Sequence, residues 1–171
     1  MHDQPLRVQS DPATGSPSEV ALRAALIGPD HVPAPPDRPI ESAGVDLADA
    51  DRLARAIDRS GDRLVRRLFH AHEREVCADG QDRDTTAALF GIKESVVKVV
   101  GGLSSGARYI DISIGPPGKD LDNPPWLPVQ LRGELARWAQ AHRVEVVAGT
   151  APLREGLRLS WALALPLEAP C

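Results

Sequence analysis

The stretch LFGIKESVVKVVGG, Leu89 to Gly102, sets how the rest of the chain is read. Leu89, Ile92, Val96 and Val99 recur at three- and four-residue steps, the spacing of a helix with one buried face. The pattern begins upstream at Thr85, and Gly101-Gly102 ends it. Glu94 and Lys98, four residues apart, share the other face, with Phe90, Val97 and Gly101 nearby. Two readings stay open. The pair is an ordinary solvated one, worth a few tenths of a kcal/mol. Or it is a charged site whose apolar surroundings strengthen its interactions.

Before this helix, AGVDLA (43–48) reads as a short strand interrupted by Asp46. DADRLARAIDRSG (49–61) has Leu53, Ala56 and Ile57 at helical spacing, with Asp49 to cap the start and Ser60-Gly61 to break the end. DRLVRRLF (62–69) and AHEREVC (71–77) continue as helical turns. After the central helix the period changes. RYIDISIG (108–115) alternates, with Ile110, Ile112 and Ile114 on one face and Asp111 and Ser113 on the other, the pattern of a half-buried strand. GPPGKDLDNPPWLP (115–128) is a loop, and VQLR (129–132) is a candidate strand. GELARWAQAH (133–142) is a helix with Leu135 and Trp138 inward. VEVVAG (144–149) and LRLSWALAL (157–165) form an antiparallel pair joined by TAPLRE. Helices first and strands later predict an α+β domain over residues 42–171, an antiparallel sheet packed on the central helix.

Residues 1–41 read as a poorly ordered, Pro/Ser-rich extension with one short helix from Ser18 to Ile27. The segment lacks the apolar core of a signal peptide, and no run of 18 apolar residues predicts a membrane span. Cys77 and Cys171 form no CxxC pair, so a reduced, cytoplasmic protein without structural zinc is expected. A net charge of −4 gives no electrostatic case for nucleic-acid binding.

Asp is disfavoured inside a strand, so Asp46 either caps the following turn or serves a cation. A strand carboxylate beside a helix Glu suits magnesium, which takes one or two carboxylates and fills the rest with phosphate and water. Arg52, Arg55, Arg59, Arg63 and Arg66 recur at three- and four-residue steps, with Arg67 beside them. This is a basic stripe for an acidic partner or, given the interleaved Asp51, Asp58 and Asp62, a self-neutralised surface. His70, His72 and Glu73 cluster in sequence, but i and i+2 on a helix do not face each other, so no metal site is expected there. Trp126, Trp138 and Trp161 are expected to pack.

Taken in order, these pieces resemble the holo-acyl-carrier-protein synthases, the small 4′-phosphopantetheinyl transferases. GVDLADADR (44–52) is similar to their opening Gly-x-Asp with Arg six residues later, and LFHAHEREVC (68–77) to the segment after their first helices. FGIKESVVKVVGG (90–102) is similar to their Phe-x-x-Lys-Glu-Ala/Ser-x-x-Lys-x-x-Gly motif, and YIDISI (109–114) to the strand that follows. The likeness runs from about Ala43 to Leu167. It implies that Asp46 and Glu94 hold Mg2+ on the pyrophosphate of coenzyme A and that Lys98 stands beside the reacting phosphate. The proton of the carrier-protein serine must also go somewhere, and Glu94, directly or through a metal-bound water, is the candidate base. It further implies cofactor contacts from Lys93, Lys98, Gly101 and Thr150, and docking of an acidic acyl carrier protein on Arg52, with Arg59 and Arg63 extending the face. The family's active form is often a trimer. Two positions depart from the pattern: Leu89 replaces an Arg, and Gly149 replaces the His of a Ser-x-Ser/Thr-His-Thr strand matched here by VVAGT (146–150). Both losses imply weak contact with the 3′-phosphate of coenzyme A. A relative that binds a carrier protein without modifying it is the alternative.

Overall fold

The computed structural model describes residues 37–78, 82–115 and 126–167. The expected extension as far as residue 36, the helix expected at Ser18–Ile27, residues 116–125 of the expected loop, and Cys171 lie outside them. Strand β1 (Ser42–Asp49) leads into helix α1 (Ala50–Ser60), α2 (Asp62–Leu68), α3 (Ala71–Ala78) and the long α4 (Arg83–Val99). A 3₁₀ turn at Tyr109–Asp111 precedes β2 (Ile112–Ile114). Then come β3 (Leu127–Leu131), α5 (Gly133–His142), β4 (Val144–Arg154) and β5 (Leu157–Pro166). The five strands form one antiparallel sheet in the order β1-β5-β4-β3-β2. The domain is therefore α+β, with α4 laid across the sheet.

Local chemistry sets the helix boundaries. The Asp49 carboxylate accepts from Arg52 N at 2.8 Å and starts α1, which breaks at Gly61. Asp82 does the same for α4 through Thr85 N at 2.9 Å, so this helix starts two residues before the periodic pattern does. At its far end Gly101 turns to φ +78°, and Gly102 N returns to Val97 O at 2.8 Å. Leu89, Ile92 and Val96 are fully buried against the sheet, and Val99 nearly so, as the spacing predicts.

Two expectations change. The alternation of RYIDISIG does not produce one strand. Asp111 Oδ2 accepts from Arg108 N at 2.9 Å, which curls Tyr109–Asp111 into the turn and leaves three residues for β2. Asp111 and Ser113, expected outward, are buried. The second change is in β4, which runs on through TAPLR because Thr150 and Ala151 stay in register with Ser160 and Leu159. The ladder becomes irregular between Pro152 and Arg154, where a proline has no N–H to give.

The sheet buries both faces of β5. Ala162 and Ala164 face α4, while Leu159, Trp161, Leu163 and Leu165 form a second cluster with Ile40, Val45 and Trp126. Trp126 meets Trp161 edge to face at 6.3 Å, so both pack as expected. Trp138 is half-buried, packs against the main core as expected, and stacks on His142.

Candidate active site

A close seam between β1 and α4 builds the site. A Cβ on Gly44 would stand 2.1 Å from Ser95 O, and one on Gly91 would stand 2.6 Å from Ser160 Oγ. Only glycine at these two points lets helix and strand approach so closely. Gly44 and Asp46 are two residues apart on the strand and so share a face. The contact that admits Gly44 therefore brings Asp46 against α4.

There Lys98 Nζ donates to Asp46 Oδ1 at 2.8 Å and to Val45 O at 2.6 Å, across 52 and 53 residues of sequence. The i,i+4 reading of Glu94 with Lys98 is replaced: Lys98 turns to Asp46, and Glu94 Oε1 accepts instead from the Tyr109 hydroxyl at 2.8 Å. Tyr109 was invisible as a site residue because the alternating pattern placed it on a strand. The one signal it offered was being the sole Tyr of the chain. Burial, then the hydrogen bond to Glu94 and the charges of Glu94 and Asp46, push its phenol up to about 12, so it remains a donor at neutral pH.

Asp46, Glu94 and Tyr109 open onto a cleft of about 500 Å³ between β1, α1, α2 and α4. Asp46, Asp49, Arg52, Glu94 and Tyr109 are its polar lining, and Leu53 and Phe90 are among its apolar walls. Asp46 and Glu94 thus line one cavity. Each has one oxygen engaged, by Lys98 and Tyr109 respectively, and the second takes no hydrogen bond from the described residues. Among those residues no three His, Cys, Asp or Glu side chains cluster to hold a metal by themselves. Two carboxylates completed by a phosphate fit magnesium chemistry.

Lys93 does not belong to this cleft. It is fully buried, and its ammonium pairs with the equally buried Glu73 at 2.7 Å. It also donates to the carbonyls of Tyr109 and Ile112. Burial pushes its pKa down, and Glu73 opposes that. The expectation that Lys93 touches a cofactor is corrected: one residue before Glu94, the helix turns its side chain into the core. Thr150 is corrected likewise. It is buried on the inner face of β4, donates to Leu159 O at 2.9 Å and accepts from Ser160 Oγ. Gly101 lies outside the cleft lining, and its positive φ gives it a backbone reason to be glycine. Leu89 and Gly149 are buried as well, so within this chain neither position faces a nucleotide.

Arg52, Arg59 and Arg63 are exposed on α1 and α2, on either side of the Gly61 break, and Arg52 alone of the three lines the cleft. Arg66 pairs with Asp62 at 3.0 Å, so part of the stripe is self-neutralised. The two histidines do meet, at 2.7 Å between their Nδ1 atoms, because His70 precedes α3 instead of lying on it. Arg132 donates to His70 Nε2 at 2.8 Å, and His72 Nε2 reaches Ile114 O at 3.0 Å. The result is a structural relay between α5, α3 and β2.

A helix-backed antiparallel sheet thus carries two carboxylates in one cleft, with a lysine paired to one of them. The family described as the 4′-phosphopantetheinyl transferase superfamily matches residues 42–151, and the chain belongs to that family. It is similar to the holo-[acyl-carrier-protein] synthase of Alkalilimnicola ehrlichii, 35% identical over 107 residues, 60% of this chain and 78% of that one. The Solibacter usitatus enzyme of the same name is 32% identical over 111 residues, 64% and 85% of the two chains. Among solved structures, the Neisseria meningitidis holo-[acyl-carrier-protein] synthase superposes with a TM-score of 0.61 at 21% identity, covering 74% of this chain and 98% of that one. The Helicobacter pylori enzyme in complex with coenzyme A gives 0.56 at 17%, covering 71% and 98%. Those structures share the fold.

Proposed function

We propose that the protein transfers the 4′-phosphopantetheine group of coenzyme A to a serine of an acyl carrier protein, with magnesium. The observation that carries the reading is that Asp46 and Glu94 line one cleft, in a chain of this family, with Lys98 paired to Asp46 at 2.8 Å. The serine oxygen attacks the β-phosphorus, the bond to the adenosine 3′,5′-bisphosphate leaving group breaks, and the serine loses its proton. The open oxygen of Glu94 is placed to accept that proton. Lys98 offers the phosphate a cation, stabilising charge that grows on its oxygens. Asp46 and Glu94 would hold the magnesium, which supplies neutralisation of the pyrophosphate.

The acceptor reaches the cleft past Arg52. An acidic carrier protein fits the exposed arginines of α1 and α2, which gather positive charge on an acidic chain. No helix among the described residues is long and apolar enough to cross a membrane. A homotrimer in the cytoplasm completes the proposal, by likeness to the family.

The test is mass spectrometry of carrier proteins incubated with the protein, coenzyme A and magnesium. The expected result is a carrier protein heavier by one phosphopantetheine group, with the gain lost when Asp46 is changed to Ala. Tight carrier binding without any gain in mass would make the protein a non-catalytic carrier-binding relative.

A further inference from the structure

Glu94 needs something to hold it. A glutamate has three rotatable side-chain bonds, and a half-buried one facing a cleft samples several rotamers unless a partner fixes it. The cations near the cleft do not do this. Lys98 is committed to Asp46 and Val45, and among the described residues no ion pair includes Glu94. We propose that Tyr109 is a positioning residue for Glu94: its hydroxyl holds Oε1, so that Oε2 is presented to the cleft.

Tyr109 is itself held along its whole length. Its carbonyl accepts from Lys93 Nζ at 3.1 Å, and Lys93 is fixed by the buried Glu73. Its ring lies 6.3 Å from that of Phe90, centroid to centroid. The turn that carries it is closed by Asp111 on Arg108, through both the backbone N–H and the guanidinium. Lys93 and Glu94 are adjacent in α4, one facing the core and the other the cleft, and together they grip the two ends of one tyrosine. This gives a rigid path from the interior of the domain to one carboxylate oxygen. Reacting groups need placement within about 0.5 Å, which a lone flexible glutamate does not provide.

The inference rests on Glu94 taking part in transfer, and the test separates the two. Tyr109→Phe removes the hydroxyl and keeps the ring. The expected result is a fall in kcat on the order of tenfold, the scale for losing one hydrogen bond to a charged group. KM for coenzyme A and for the carrier protein should stay the same, as should the melting temperature. Glu94→Asp draws the carboxylate back by one methylene, out of the hydroxyl's reach. In that background Tyr109→Phe should cost nothing further, because a residue acting through Glu94 has nothing left to act on. A wild-type kcat in Tyr109→Phe, or an equal loss in both backgrounds, overturns the positioning role. Glu94→Ala is the control: if it transfers at the wild-type rate, the role of Glu94 falls and this inference with it. If it is inactive while Tyr109→Phe is unimpaired, the inference alone falls.

Discussion

Helix α4 carries two lysine–carboxylate pairs of nearly equal length and opposite character. Lys93 meets Glu73 at 2.7 Å with both side chains fully buried, and Lys98 meets Asp46 at 2.8 Å with the lysine about half exposed. In the first pair the polar capacity is used up. Lys93 has three partners, and Glu73 accepts from Lys93, His70 N and Ile114 N. In the second, Lys98 has two partners for three protons, and Asp46 keeps an oxygen uncommitted. The closed pair joins α3, α4 and β2. The open pair has valence left for a substrate. The same pairing of lysine with carboxylate thus does different work according to how completely the fold satisfies it.

Breaking each pair should separate stability from activity. Lys93→Met leaves Glu73 buried without its cation, and removing one member of a buried pair costs about 3–5 kcal/mol. Urea denaturation should show that loss as a lower midpoint. Lys98→Met should do the reverse. Transfer should fall about a hundredfold or more, the scale for removing one charge-stabilising donor. Stability should change by less than about 1 kcal/mol, because exposed pairs are screened by solvent. If the two variants lose equal stability, the distinction between closed and open pairs is wrong.

Arg52→Glu sharpens the contrast from the partner's side. The expected effect is about a tenfold rise in KM for the carrier protein, with kcat and folding unchanged, since an exposed helix charge contributes little to stability. Exposed charges are screened over about 8–10 Å at physiological ionic strength, so added salt should slow the wild type more than the variant. Identical rates and salt slopes would return the arginines to plain surface.

The smallest effect concerns acid. Burial, and then the Arg132 guanidinium, hold His70 below its ordinary value of 6.5. The unfolded chain therefore binds this proton more readily than the folded one. Its contribution to stability is complete above about pH 6.5 and declines as pH falls below that, toward the folded value. His70 N also donates to Glu73, so the loss belongs to the closed region. The urea midpoint should drop between about pH 7.5 and about pH 5.5 by less in His70→Gln than in the wild type.

The sequence made legible what depends on local periodicity and on residues a few positions apart. Leu89, Ile92, Val96 and Val99 declared the buried face of α4, and Asp49 declared the start of α1. The motif order brought Asp46, Glu94 and Lys98 together before any coordinates did. The misses have two causes: a partner distant in sequence, and local bonds or helix boundaries that override the periodic pattern. Lys93 looked like a cofactor contact because its buried partner, Glu73, lies 20 residues upstream. Tyr109 looked like part of a strand because the bond from Arg108 to Asp111 that curls it competes with the alternation of the isoleucines. His70 and His72 meet because the chain enters α3 between them, a boundary no periodic pattern marked.

The seam at Gly44 and Gly91 locks α4 against β1 at one fixed height. An α-helix advances by 100° per residue. One residue inserted between Ser95 and Lys98 would leave Lys93 at home in the core and swing Lys98 a quarter turn or more off Asp46. The tyrosine's two anchors, being adjacent, would survive it. The number of residues in this helix is therefore as much a part of the active site as their identity. Along it, substitutions should be far easier to accommodate than insertions or deletions.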